Sequence, residues 1–234
     1  MQPETVIEEF AVLALFAHTL DVEVVQLQPP YHGRRKPRRS RFDGELFWTA
    51  DVVSSMESLR QTVLDARTLL GWLEQESARP VGVAGLSLGG ALSAVLTCVE
   101  PRLAFSAPFI AHMDLGAMVA DAPVLGAMRA DLRRFGWSPR DFAAFTERVG
   151  WSGLRPVIPK ERIHLFAMQD DRFFRPEVVT RMWREWGEPA IHWYPGSHMG
   201  FVAVLPDAVR RLRRFIDALA LETREAERPA PTAG

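Results

Sequence analysis

The chain has 234 residues, 47% of them hydrophobic, and a formal net charge of −1. That length and apolar content suit one globular domain with a sizeable core, and near-neutrality gives no bulk attraction to nucleic acid or to a membrane surface. A single cysteine, Cys98, excludes an internal disulfide and any two-cysteine metal or redox motif, which fits a reducing, cytoplasmic setting.

The opening Met1-Gln2-Pro3-Glu4 carries no basic segment, and Glu8-Glu9 interrupt the apolar run that follows, so no signal peptide is expected. No run is long enough to span a bilayer. Residues 4–19 place Val6, Phe10, Leu13 and Ala17 at helical steps, and 22–27 predict a strand ended by Pro29-Pro30. From about 47 to 76, Val52, Met56, Leu59, Val63, Ala66, Leu70 and Leu73 alternate steps of four and three, the buried stripe of a long helix. A strand at 80–86, a helix to about 98 and a strand at 102–107 follow. Such alternation predicts a mostly parallel sheet with helices on both faces, a three-layer α/β architecture.

Residues 109–160 break the rhythm with methionines, Gly116, Pro123, Gly126 and Pro139, and with amphipathic pieces at 128–135 and 139–149. They predict a helical cap inserted over the sheet edge. A strand at 163–168, a helix at 176–186, a last strand at 190–194 and a helix at 206–221 then complete one domain ending near residue 222. The tail 223–234, with Pro229, Pro231 and several charges, is expected to be disordered.

The chemistry concentrates at Val81-Gly82-Val83-Ala84-Gly85-Leu86-Ser87-Leu88-Gly89-Gly90, an apolar strand running into Gly-x-Ser-x-Gly and then a helix. A bare motif of this kind arises by chance in about one chain of this length in ten, so the flanking strand and helix carry the weight. Together they are the sequence form of a nucleophile elbow, a sharp turn that lifts a serine clear of the sheet and needs small neighbours, here Gly85, Gly89 and Gly90. A serine hydroxyl attacks only when a base takes its proton and an acid orients that base. The later strands run out into Gln169-Asp170-Asp171 and into Gly196-Ser197-His198, the places where acid and base belong. Asp170 and Asp171 compete for the acid role. Asp171 is preferred for its distance to Pro176-Glu177, which leaves its neighbour to solvent.

Other features have plainer readings. His164 and His192 fall inside strands, His18 at a helix end, and His112 and Asp114 read first as cap packing, with substrate contact as the alternative. No His/Cys/Asp/Glu spacing suggests a metal, and Gly82-x-x-Gly85 is not a dinucleotide fingerprint, so no cofactor is expected. The basic run Arg34–Arg41 reads first as a solvated loop, with an anionic head group as the functional alternative. The arginines at 210, 211, 213 and 214 read as the wet face of the last helix. Met113, Met118 and Met128 suggest either an acyl-accommodating cap or plain core.

Gly-Leu-Ser-Leu-Gly-Gly, Asp-Asp-Arg-Phe-Phe-Arg-Pro-Glu and Gly-Ser-His-Met-Gly, in this order, resemble the serine α/β-hydrolase superfamily over residues 4–221. Pro-Tyr-His-Gly-Arg-Arg-Lys-Pro at 30–37 is similar to the group related to α/β-hydrolase domain-containing protein 18. The resemblance implies hydrolysis of a carboxylic ester or thioester, or acyl transfer, with Ser87 as nucleophile, His198 as base, Asp171 as acid and the Leu88 amide as an oxyanion donor. It implies a small acyl ester or lipid-like substrate, no nucleic-acid partner, and nothing about oligomeric state. Superfamily members place a strand and a His-Gly oxyanion loop ahead of the first helix seen here; His32-Gly33 comes too late to be that loop. The expectation is therefore an N-terminally short hydrolase lacking its second oxyanion donor. The rival expectation is a hydrolase-fold protein that binds a partner without turnover.

Overall fold

The computed structural model describes residues 3–77, 79–122 and 125–226. Four parallel strands, β1 (Val83–Leu86), β2 (Ser106–Phe109), β3 (His164–Met168) and β4 (Ala190–Tyr194), lie side by side in chain order. The register pairs Leu86 with Phe109, Phe109 with Phe166, and Phe166 with His192, so every strand delivers its C-terminal end to the same edge. Helices α1 (Pro3–Leu20) and α8 (Phe201–Ala226) cover one face; α2 (Val52–Glu76), α3 (Leu88–Val99) and α7 (Pro176–Glu185) complete the layers.

One core joins Phe16 and Leu20 of α1, Phe109 and Phe166 of the sheet, and Phe201, Leu205, Val209 and Leu212 of α8. The α8 stripe does this at helical spacing. The helix begins at Phe201, a turn before the expected 206, and carries Pro206 inside it. A proline so near the N-terminus removes only one intrahelical bond. At its other end α8 runs to Ala226, so 223–226 are helical rather than disordered, and 227–234 lie outside the described residues. Arg213 is also more than a wet-face residue, because its Nη1 donates to the Leu20 carbonyl at 2.8 Å and caps the end of α1.

Two expectations fail in informative ways. Residues 22–28 carry no strand pairing, and Val22, Val24 and Val25 are exposed. A strand needs a neighbour's backbone edge, and β1 pairs only with β2 among the described residues. The buried face of α2 is also rotated from its apolar stripe: Ser55, Ser58, Leu59, Thr62, Ala66 and Leu70 are buried, while Val52, Met56, Val63 and Leu73 are half-buried. Small residues let α2 approach α3 closely, and Ser58 and Thr62 satisfy their hydroxyls by donating to Ser54 O and Ser58 O, each at 2.8 Å. The helix starts at Val52, not 47, where Asp51 accepts the Ser54 amide at 3.0 Å as N-cap.

Between β2 and β3 the described residues form a helical cap, α4 (Leu115–Asp121), α5 (Gly126–Arg134) and α6 (Pro139–Val149). Ser138 and Asp141 form a reciprocal capping box at α6. Met118, Met128, Leu132 and Phe142 pack with Ala91 and Phe174, which seats the cap on α3 and on the loop after β3.

Candidate active site

The turn from β1 to α3 holds Ser87 at φ 54°, ψ −112°, a left-handed conformation that a serine adopts only under constraint. Its neighbours explain how. A Cβ on Gly85 would lie 2.3 Å from Gly89 O, and one on Gly90 would lie 2.4 Å from Phe109 O, so backbone passes where side chains would be. Gly89 differs from the sequence expectation: a Cβ there meets nothing within 4 Å, so packing does not require a glycine. The Ser87 amide donates to Phe109 O at 3.0 Å, and Leu88 opens α3 with an amide that has no intrahelical partner.

The loop after β4 brings His198 to the same edge. Its Nε2 lies 3.0 Å from Ser87 Oγ, across 111 residues of sequence, and its Nδ1 lies 2.8 Å from Asp171 Oδ2. A carboxylate only accepts, so Nδ1 carries the proton and donates to Asp171, which leaves Nε2 free to accept from the serine hydroxyl. Asp171 is buried, and its Oδ1 accepts the amides of Phe173 at 2.7 Å and Phe174 at 2.9 Å. Asp170 faces solvent, where its carboxylate accepts the Gly196 amide at 3.3 Å. Of the competing aspartates, only Asp171 reaches the imidazole. Ser87, Asp171 and His198 are thus brought into one hydrogen-bonded line, with the Leu88 amide beside it.

Two groups at the site go beyond what the sequence showed. Phe173 and Phe174 stack on the His198 ring at centroid distances of 4.6 and 5.6 Å. Their only trace was an aromatic pair two and three residues after Asp171. His112 is fully buried, edge-on to Phe174 at 5.0 Å, and its Nδ1 accepts the Asp114 amide at 3.2 Å. Burial is the leading cause that pushes its pKa down to about 4, so the ring is neutral near pH 7. Asp114 caps α4 through the Ala117 amide and pairs with Arg181, which ties the cap to α7.

Other candidates lie elsewhere. His32 Nδ1 is bonded to Pro30 O, and its ring packs against Phe47, so His32-Gly33 is engaged within its own loop. In the basic run, Arg35, Lys36 and Arg41 pair with Asp65, Asp43 and Glu45, while Arg34, Arg38 and Arg39 are exposed. Cys98 is buried, and that burial raises its thiol to about 12. Among the described residues no helix is long and apolar enough to cross a membrane, and no three metal-ligating side chains cluster.

Residues 12–122 match a family described as alpha/beta hydrolase domain containing 18, a span that includes Ser87 but neither Asp171 nor His198. Two uncharacterized proteins from strains of Mycobacterium tuberculosis are 35% identical over 213 residues, 87% of this chain and 47% of theirs. The chain therefore spans about half the length of the curated relatives it matches. Among solved structures, an esterase of Pyrococcus furiosus superposes with a TM-score of 0.55 at 14% identity, covering 89% of this chain and 75% of that one. A bacterial membrane phospholipase A, described as a virulence factor, gives a TM-score of 0.50 at 15% identity, covering 90% and 75%. These two likenesses concern the fold.

Proposed function

We propose that this chain, whose residues 12–122 match an α/β-hydrolase family, cleaves a carboxylic ester or thioester through an acyl-Ser87 intermediate. The observation that carries this reading is the unbroken line from Asp171 Oδ2 through His198 to Ser87 Oγ, with contacts of 2.8 and 3.0 Å. Ser87 Oγ attacks the acyl carbon as its proton passes to His198 Nε2, and Asp171 stabilises the imidazolium without taking a proton. The carbonyl oxygen becomes an oxyanion facing the Leu88 amide, at the positive end of α3. His198 then protonates the departing alkoxide or thiolate. In the second half it takes a proton from water, whose oxygen attacks the acyl carbon and releases the carboxylic acid and free Ser87.

The backbone supports this role for Ser87 independently. A serine serving only a tight turn would not need to hold a strained φ while pointing its hydroxyl at a buried histidine. The second reading, binding without turnover, is favoured by one feature: His32-Gly33, the chain's only His-Gly pair, is tied up in its own loop and offers no second oxyanion donor. Labelling of the purified chain with a fluorophosphonate, with S87A as control and mass mapping of the adduct, separates the two. Stoichiometric labelling at Ser87 is the expected result. A folded chain that stays unlabelled would leave the binding reading standing.

A further inference from the structure

The hydrophobic side chains most open to water are not scattered over the molecule. Phe42, Val53, Phe135, Met199 and Val202 are each 59% exposed or more, and no other large hydrophobic among the described residues exceeds 51%. Met199 and Val202 follow His198 directly. Phe42 lies in the loop before α2, whose Trp48 packs with Leu88 against one core cluster, and Val53 stands in the first turn of α2. Phe135 ends α5, two residues before Trp137. Trp48, Trp137 and Phe173, the ring stacked on His198, all pack against a second cluster, which brings these segments together at the edge that holds Ser87.

Both bare phenylalanines have cations beside them. Arg34, Arg38 and Arg39 precede Phe42, and Arg133 and Arg134 precede Phe135; all of these arginines are exposed, and among the described residues their guanidiniums have no hydrogen-bond or ion-pair partner. Asp43 and Glu45, the acids next to Phe42, are taken up by Lys36 and Arg41. A chain of net charge −1 therefore gathers uncompensated positive charge beside the aromatic tips of one edge. Arginine grips phosphate oxygens through its planar fork, and exposed apolar side chains flanked by cations are most favourably placed at the boundary between lipid headgroups and acyl chains. The tips sit on turns and helix ends, not along one helix face. A fluid surface closes around each of them, whereas a folded partner would need a continuous matching face. We infer that this edge docks on a lipid surface bearing anionic headgroups. Phe42 and Phe135 insert, the arginines hold phosphates, and Met199 and Val202 turn the His198 side of the edge toward the lipid. The docking does not depend on the acyl-Ser87 reading; it adds a place where the site works.

The test is co-sedimentation of the S87A chain with vesicles of phosphatidylcholine alone, or of equal parts phosphatidylcholine and phosphatidylglycerol. The expected result is binding to the mixed vesicles only, lost in about 1 M salt, where the screening length falls to about 3 Å. The double variant R38A/R39A should lower the partition about 25-fold, at about fivefold for each cation near the surface. Phe42→Ala and Phe135→Ala should each lower it roughly tenfold. Trp72→Ala, an exposed aromatic about five helical turns along α2 from Val53, should stay within about twofold of the parent. All the replaced side chains are exposed, so folding is preserved, and urea midpoints verify it. Equal binding to both vesicle types, binding to neither, or a partition that the two phenylalanine variants leave unmoved overturns the inference. Binding of soluble polyphosphate without vesicle binding also overturns it, and assigns the arginines to a soluble polyanion. Vesicle binding and fluorophosphonate labelling of Ser87 are read separately, so the docking and the hydrolase reading can each fail alone.

Discussion

Phe173 lies nearly parallel to His198, with ring centroids 4.6 Å apart and planes inclined by 21°. The same Phe173 donates its amide to Asp171 Oδ1 at 2.7 Å. One residue therefore fixes both partners of the Asp171–His198 contact, the imidazole through its side chain and the carboxylate through its backbone. Replacing Phe173 by Ala keeps the amide and removes the stack. The expected result is a kcat lower by about tenfold, with KM little changed, because a base held loosely loses positioning and not substrate affinity. A pure stability effect would instead lower the active fraction, which titration with a fluorophosphonate measures directly.

The two neighbouring aspartates differ in consequence. Asp171→Asn should lower kcat by about 10⁴-fold, because an amide facing Nδ1 stabilises the wrong tautomer. Asp170→Asn should stay within about twofold of the parent, since Asp170 holds only the Gly196 amide in solvent. Equal losses in both variants would mean that the loop, and not the carboxylate, is what the imidazole needs.

Ser87 stores strain at φ 54°. Ser87→Gly relieves it, so this variant should be inactive and yet more stable by about 1 kcal/mol in urea unfolding. The adjacent glycines give the complementary contrast: Gly90→Ala should be strongly destabilising, while Gly89→Ala, facing open space, should be neutral or slightly stabilising. Similar behaviour of the two would contradict the backbone approach of Phe109 to Gly90.

Glu100, fully buried at the end of α3, is held by Arg102 Nη2 at 2.6 Å and by Arg67 Nε at 3.2 Å. The Arg102 hydrogen bonds are the leading reason its carboxyl titrates below the usual range. Arg102→Ala leaves that charge short of partners and should destabilise by about 2 kcal/mol, a value discounted because the guanidinium is partly exposed. The double variant R102A/E100Q should recover part of the loss, and strict additivity in the urea midpoints would contradict the coupling.

His112 gives a pH signature. Its pKa is lowered from 6.5 to about 4, so between those values the unfolded chain binds a proton that the native state refuses. Stability from this residue is full above about pH 6.5, falls as the pH drops, and levels off below about pH 4. Burial shifts His164 in the same direction, to about 4. The His112 share is at most about 3 kcal/mol. His112→Gln should flatten the slope of unfolding free energy between pH 7 and 4.5 while His164 keeps its part; an unchanged slope would remove His112 from the account.

Much of this was legible in the residues. The sequence pattern located β3 and β4 to within a residue: β3 is a short, largely buried apolar run, and the half-buried β4 is bounded by Gly187-Glu188-Pro189 and Pro195-Gly196. The elbow was legible because its turn admits few residue types. Residues 22–27 form no strand, because a β-rich pattern records only that a segment suits a sheet, not that a partner edge exists beside it. The rotated face of α2 was misread for a related reason: serines and threonines that bond their own helix carbonyls pack like small apolar residues, and a hydrophobicity pattern cannot register that.

Local chemistry along the chain was enough to determine the order of elements from α2 onward, the constrained turn at Ser87 and the residue types able to serve as base and acid, since each depends on near neighbours in sequence. The choice of Asp171 over Asp170, the stacking of Phe173 and Phe174 on His198 and the burial of His112 were decided only by tertiary structure. The contacts of His198 with Asp171 and with Ser87 join residues 27 and 111 positions apart, and contacts at such separations exist only once the sheet has aligned the ends of its strands. Adjacent aspartates are chemically identical until packing buries one against an imidazole and leaves the other in water.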